Sequence, residues 1–151
     1  MTFLSQRANW ICLAVGLGIP VASLAGPAED FSAARSAYLA GDVFSAMPML
    51  RNAADAGYAP AQVMLGEILD LSEYDEEAAA MYRRAAKQGD AEGQFRLGYM
   101  YAQGEGVKKD TEEARRLILA AAEQGHQRAT NVMAQAYLGA QLGISETDRE
   151  G

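Results

Sequence analysis

The pattern Ala-Ala-x-x-Gly occurs three times in this chain and restricts the fold more than any other feature. It is found at Ala53-Ala54 with Gly57, at Ala85-Ala86 with Gly89, and at Ala121-Ala122 with Gly125. The glycines are 32 and then 36 residues apart. Two further markers keep the same step. Nine residues after each glycine stands Leu65-Gly66, Leu97-Gly98 or the degenerate Met133-Ala134, and eleven before it stands Ala46, Ala78 or Ala114. Periods of this length belong to chains built from stacked supersecondary units, none of which buries its apolar face alone.

Each unit reads as a helical hairpin. Ala, Leu, Met, Gln, Glu and Arg dominate, side chains that lose little freedom in a helix. The few prolines lie near the front. In the clearest unit Asp90 caps a helix over 91–103, and the turn Gly104-Glu105-Gly106-Val107 ends it. Asp110 then caps a second helix, with Glu113 placed as in a capping box, and that helix runs to Gln124 before Gly125. In the preceding unit Leu71-Ser72-Glu73-Tyr74 replaces the glycine turn, so the difference between 36 and 32 is a loop difference. A more divergent hairpin, 31–40 and 43–56 turning at Gly41-Asp42, opens the domain. A helix over 127–138 closes it, and a polar, frayed tail is expected over 139–151. The fold class is all-α, a superhelical solenoid of stacked hairpins. Gly66 and Gly98 are expected to lie opposite the alanine pairs and let helices approach, with Leu65, Leu97, Tyr101 and Leu117 filling the space between. The tyrosines at 38, 74, 82 and 137 are expected to pack.

The first 25 residues read as a secretory leader. Arg7 precedes a short apolar run from Trp10 to Ile19, Pro20 ends it, and Ser23-Leu24-Ala25 offers small residues for cleavage between Ala25 and Gly26. A retained membrane anchor is the competing reading. The run falls short of the roughly 20 apolar residues that span a bilayer, and Gly16, Gly18 and Pro20 interrupt it. The single cysteine, Cys12, lies within the leader, so the domain over 26–138 enters an oxidising compartment without a thiol. Localisation is accordingly expected to be periplasmic or secreted, with no stable membrane insertion after cleavage.

Charge narrows the partners. Loss of Arg7 takes the formal charge from −7 to −8, and no Lys/Arg cluster offers the footprint that phosphate backbones or anionic membranes require. Catalytic constellations are wanting too. There is no Gly-x-Ser-x-Gly elbow and no His-Glu-x-x-His helix. Gly104-Glu105-Gly106 follows no strand, which removes the dinucleotide reading. His126, the one histidine, follows Gly125 at a helix boundary and reads as a solvated cap. The acidic runs Asp75-Glu76-Glu77 and Glu112-Glu113 open helices, where negative charge meets the positive end of the dipole. No enzyme activity, cofactor or metal site is expected.

Leu97-Gly98-Tyr99-Met100-Tyr101, Gly104-Glu105-Gly106-Val107, Asp110, Ala114 and Ala121-Ala122-Glu123-Gln124-Gly125 together closely resemble the Sel-one-like repeat family, related to the tetratricopeptide repeats. The preceding copy matches at Ala61, Leu65-Gly66, Ala78 and Ala85 to Gly89, and has Leu69 where the family has tyrosine. The likeness covers about 43–138. It implies hairpins stacked into a right-handed superhelix and a role as an adaptor that assembles complexes, often in the bacterial envelope. Disulfides found in some secreted members do not carry over, because no cysteine follows Cys12.

In such superhelices the first helix of each hairpin lines the concave face. The positions used by tetratricopeptide repeats map to Val63 and Glu67, to Phe95 and Tyr99, and to Asn131 and Gln135. Central aromatics with a polar surround suit a peptide or partner helix. A Phe and a Tyr at helical spacing equally suit packing between repeats. The leading expectation is an adaptor or regulator that binds another protein. Two alternatives stand beside it: self-association through the last helix at Val132, Met133 and Tyr137, and binding or modification of peptidoglycan.

Overall fold

The computed structural model describes residues 26–141, which form seven α-helices and no strand among the described residues. The leader over 1–25, with Ala25, and the tail over 142–151 lie outside the described residues. The helices are α1 Pro27–Leu39, α2 Val43–Asp55, α3 Ala59–Asp70, α4 Asp75–Lys87, α5 Ala91–Gln103, α6 Thr111–Glu123 and α7 Gln127–Gln141. Each packs chiefly on the helices before and after it in the chain, the contact pattern of a solenoid. Helices α1–α2, α3–α4 and α5–α6 are hairpins, and α7 is the last helix among the described residues.

The alanine-glycine pattern is a helix-ending device. In every copy the glycine N–H donates to the carbonyl of the second alanine, and the next residue's N–H donates to the carbonyl of the first. The pairs are Gly57 to Ala54 and Tyr58 to Ala53 (3.1 Å each), Gly89 to Ala86 (3.0 Å) and Asp90 to Ala85 (3.2 Å), and Gly125 to Ala122 (2.9 Å) and His126 to Ala121 (3.1 Å). This is the Schellman arrangement. It needs a left-handed residue, and the glycines supply it at φ 90°, 83° and 81°. The alanines are small because they are buried between hairpins: Ala53, Ala54, Ala85 and Ala121 are 0% exposed.

Helix starts follow side-chain caps. Asp42, Asp90 and Asp110 accept from the backbone N–H of Ser45, Gly93 and Glu113 at 3.0, 2.8 and 3.0 Å. The capping box at Asp110 is only half made. The Glu113 carboxylate turns to Arg116 at 2.6 and 2.7 Å, a charge-assisted bidentate pair, while the Asp110 N–H donates to the Tyr101 carbonyl at 2.9 Å. Helix α6 stops at Glu123 with Gln124 as its cap, and α7 continues past Leu138 to Gln141.

The core comes in three successive clusters, one per junction. Ala34, Leu50, Ala53, Ala54, Ala61 and Leu65 form the first; Ala78, Ala79, Tyr82, Leu97, Met100 and Leu117 the second; Phe95, Ile118, Ala121 and Ala129 the third. The close approaches differ from the expected ones. A Cβ on Gly66 would lie 2.7 Å from the Tyr82 ring, and one on Gly98 would lie 3.1 Å from the Ala114 carbonyl and 2.9 Å from Ile118. Each of these glycines therefore admits the partner helix of its own hairpin. The residue facing the alanine pair is Gly93, whose Cβ would meet Ala85 at 2.7 Å. Tyr82 is fully buried and Tyr38 half-buried, whereas Tyr74 and Tyr137 are 56% and 63% exposed and are not core.

Candidate binding face on the first helices

Two rows of residues, in step with the repeat, run across α1, α3, α5 and α7. One is Phe31, Val63, Phe95 and Asn131; the other is Arg35, Glu67, Tyr99 and Gln135. They contain all six residues expected from the sequence and add Phe31 and Arg35, which that reading missed. Counting 32 residues back from Val63 and Glu67 finds both.

The two rows do different work. The first closes junctions. Tyr58 stacks on Phe31 at 5.4 Å between ring centroids, and His126 stacks on Phe95 at 4.9 Å. Tyr58 and His126 are the residues that follow two of the Schellman glycines, so the device that ends a hairpin also sets a ring back on that hairpin's first helix. Val63 and Phe95 are each 8% exposed. The second row is open: Tyr99 is 50% exposed, and Arg35 and Gln135 are exposed, while Glu67 is half-buried; in the first row only Asn131 is exposed.

A chain of charges crosses the face beside these rows. Arg96 donates from Nη2 to Glu67 at 2.5 Å and from Nε to Glu92 at 2.7 Å. Glu92 also takes His126 Nε2 at 2.6 Å and the Arg128 guanidinium. The Ala129 N–H donates to His126 Nδ1 at 3.2 Å, which places the ring proton on Nε2, pointing at Glu92. Arg128 also lies over the Phe95 ring, 5.1 Å from its centroid. Burial pushes the Glu92 carboxyl up, but hydrogen bonds from Arg96, His126 and Arg128 outweigh it and hold the group down at about 2. Burial likewise pulls Arg96 down, and its bond to Glu92 with the charge of Glu67 carries it above its ordinary value. His126 does cap α7, as expected, yet its side chain is only 13% exposed and is no solvated residue.

Sequence reasoning missed this cluster. It also missed a repeated clasp, in which Gln88 donates to Gln62 at 2.8 Å and Gln124 to Gln94 at 2.7 Å, one in each of two hairpins. Gln62 is 1% exposed and gives its N–H to the Ala54 carbonyl at 3.0 Å, so both ends of a buried amide find a partner. The glutamine before two of the three repeat glycines, Gln88 before Gly89 and Gln124 before Gly125, was the available signal.

Two recesses open on the face. One, about 360 Å³, is walled mainly by apolar groups, among them Phe31, Tyr38, Leu39 and Val63, with Arg35 and Glu67 at its rim. The other, about 230 Å³, lies between the ends of α3 and α5 and reaches Arg128 on α7. Among the described residues no cluster of His, Cys, Asp and Glu is arranged to hold a metal, and no helix is long and apolar enough to cross a membrane.

Residues 59–90 and 91–126 match the Sel1 repeat. The chain is 30% identical to a Sel1 repeat protein from Oxalobacter formigenes, with a TM-score of 0.66 over 72% of this chain and 88% of that one. It is 32% identical to a protective antigen present in uropathogenic Escherichia coli strains and displaying the same fold, with a TM-score of 0.69 over 76% of this chain and 26% of that one. Among curated proteins it is 35% identical over 86 residues to DAP3-binding cell death enhancer 1 of Rattus norvegicus. That match takes in 56% of this chain and only 17% of the relative's length.

Proposed function

This chain belongs to the Sel1 repeat family, a fold of protein–protein interaction modules, and we propose that it is an exported adaptor that holds a partner on the face of its first helices. One observation carries the reading. The open row Arg35, Glu67, Tyr99 and Gln135 runs along four successive first helices between two recesses, on a frame whose junctions are closed by Phe31, Val63 and Phe95. Rigid packing beneath and exposed polar and aromatic side chains above is how binding energy concentrates in a few residues. Repeats of this kind act as scaffolds as a rule, and the residues of the face offer positioning groups without a nucleophile paired to a base. The name of the rat relative calls it DAP3-binding, which supports a binding role, and the apolar run before Gly26 supports export.

Affinity capture from a bacterial envelope extract tests the reading, with the chain run beside an Arg35→Glu/Tyr99→Ala variant. Both side chains are exposed, so the variant keeps its helical circular dichroism and melting temperature. The account expects a protein held by the natural chain and released by the variant. Equal capture by both sinks this placement of the site. Self-association through α7 is a second reading, favoured by Val132 and Tyr137 at 40% and 63% exposed on the last helix of the stack. Sedimentation at high concentration decides it: a dimer that Val132→Asp dissociates supports it, and a monomer removes it.

A further inference from the structure

The recess between the ends of α3 and α5 contains a polar group that packing does not explain. Tyr82 is 0% exposed, and its hydroxyl has no hydrogen-bond partner among the described residues. The matching positions in the neighbouring hairpins are Leu50 and Ile118, so this core site is otherwise filled by an aliphatic side chain. The phenol ring fits because position 66 has no Cβ; one there would lie 2.7 Å from it. Burial raises the Tyr82 pKa, which keeps the phenol neutral. A buried hydroxyl without a partner is a site waiting for one.

The charges around the recess select the partner's sign. Asp70 and Glu105 both line it, and neither makes an ion pair or side-chain hydrogen bond among the described residues. The two arginines that line it are already engaged: Arg96 by Glu67 and Glu92, and Arg128 by Glu92 and the Phe95 face. Glu67 and Glu92, which lie outside the recess, pair with its two guanidiniums, so the charges of Asp70 and Glu105 are left without a counter-ion in the lining. Tyr99, 50% exposed, adds an aromatic wall. An anion would meet Asp70 and Glu105 with no uncommitted donor but the phenol. A cation would meet two unspent carboxylates and ring faces, with the unpartnered phenol oxygen of Tyr82 buried in the lining beneath them.

We propose that this recess is a pocket for one cationic side chain, lysine or arginine, carried by the polypeptide that lies along the first helices. The inference rests on that placement of the partner. Its volume, about 230 Å³, suits a single side chain rather than a larger ligand.

The probes are N-acetyl-arginine amide, N-acetyl-lysine amide and, as the neutral comparison, N-acetyl-glutamine amide. Each is titrated into the ¹⁵N-labelled chain, with amide shifts of Asp70, Tyr99 and Glu105 followed. At least one cationic probe is expected to give saturable shifts below about 20 mM, and the glutamine amide to bind at least about tenfold more weakly. Asp70→Asn/Glu105→Gln should weaken the cation by about fivefold or more, and Tyr82→Phe, which keeps the ring, by about threefold. Equal binding of the glutamine amide, an unchanged response in the carboxylate variant, or no saturable shift from either cation overturns the pocket. The partner reading fails separately. If envelope capture is intact in Asp70→Asn/Glu105→Gln while the titration is silent, the face binds its partner without this pocket. If capture is absent and the cation still titrates, the pocket stands and the adaptor reading falls.

Discussion

Glu92 is the residue on which three side chains converge. It receives Arg96 from its own helix and His126 and Arg128 from the next unit, so its charge ties α5 to α7. Its side chain is 27% exposed, and a charge-assisted bond in such a place contributes about 1.5–3 kcal/mol. Glu92→Gln is therefore expected to lower stability by about 2 kcal/mol, read as an earlier urea midpoint at neutral pH. The sign of the pH dependence follows from its depressed pKa. The folded carboxyl is held down at about 2, against the ordinary 4.5 of a free glutamate. Its stabilisation is complete above the unfolded value and is lost as pH falls from there through the folded one. Acid titration should show that loss in the natural chain and a flatter profile in Glu92→Gln. Gly106 is a second single-residue constraint. It has φ 60°, and a Cβ there would lie 2.2 Å from the Asp75 carbonyl oxygen, where the α5–α6 loop rests on the start of α4. Gly106→Ala should cost about 3 kcal/mol, more than an alanine at Gly125, where the left-handed strain is present but no atom lies within 4 Å. Thermal unfolding of the two variants compares them directly.

At the scale of elements, the hairpins differ most in their turns. The α5–α6 turn is glycine-rich, whereas the shorter α3–α4 turn places Glu73 at φ 63°. An L side chain in that region costs about 1–2 kcal/mol, partly offset by the greater chain entropy of glycine. Glu73→Gly is expected to stabilise the chain by about 0.5–1 kcal/mol, and a lower melting temperature would contradict that turn geometry. The elements themselves were legible because their causes are local. Asp90 and Asp110 cap the helices they precede in sequence, and the alanine-glycine pattern closes its own helix. The two rows of the candidate face share a register that was legible by counting, since repeat register is arithmetic on the chain. What was not legible needed three dimensions. Glu92 meets His126 and Arg128 only once α7 has docked, and Gly93, not Gly98, faces the alanine pair because of where α5 crosses α4. Tyr82 reads as one more packing aromatic until its hydroxyl is seen to lack a partner.

The described helices form a short stack in which, on the proposed function, stability and recognition use different residues of the same helices. Phe31, Val63 and Phe95 close the junctions; Arg35, Glu67, Tyr99 and Gln135 run beside them. This separation lets the exposed row vary with the partner while the stack holds. Export belongs to this scale as well. If the leader is removed as proposed, intact mass and N-terminal sequencing of material recovered from the cell envelope begin at Gly26, the residue before the first turn of α1. Material that retains Met1 and fractionates with membranes would contradict it. The claim that the first-helix face holds the partner is tested most directly by photo-crosslinking in cells, with a benzophenone amino acid in place of Tyr99 on α5, Leu119 on α6 or Val132 on α7. All three positions are exposed, at 50%, 41% and 40%. The account predicts a crosslinked partner from position 99 and none from 119. Crosslinking from 119 with silence at 99 would place the partner on the opposite helices and contradict it.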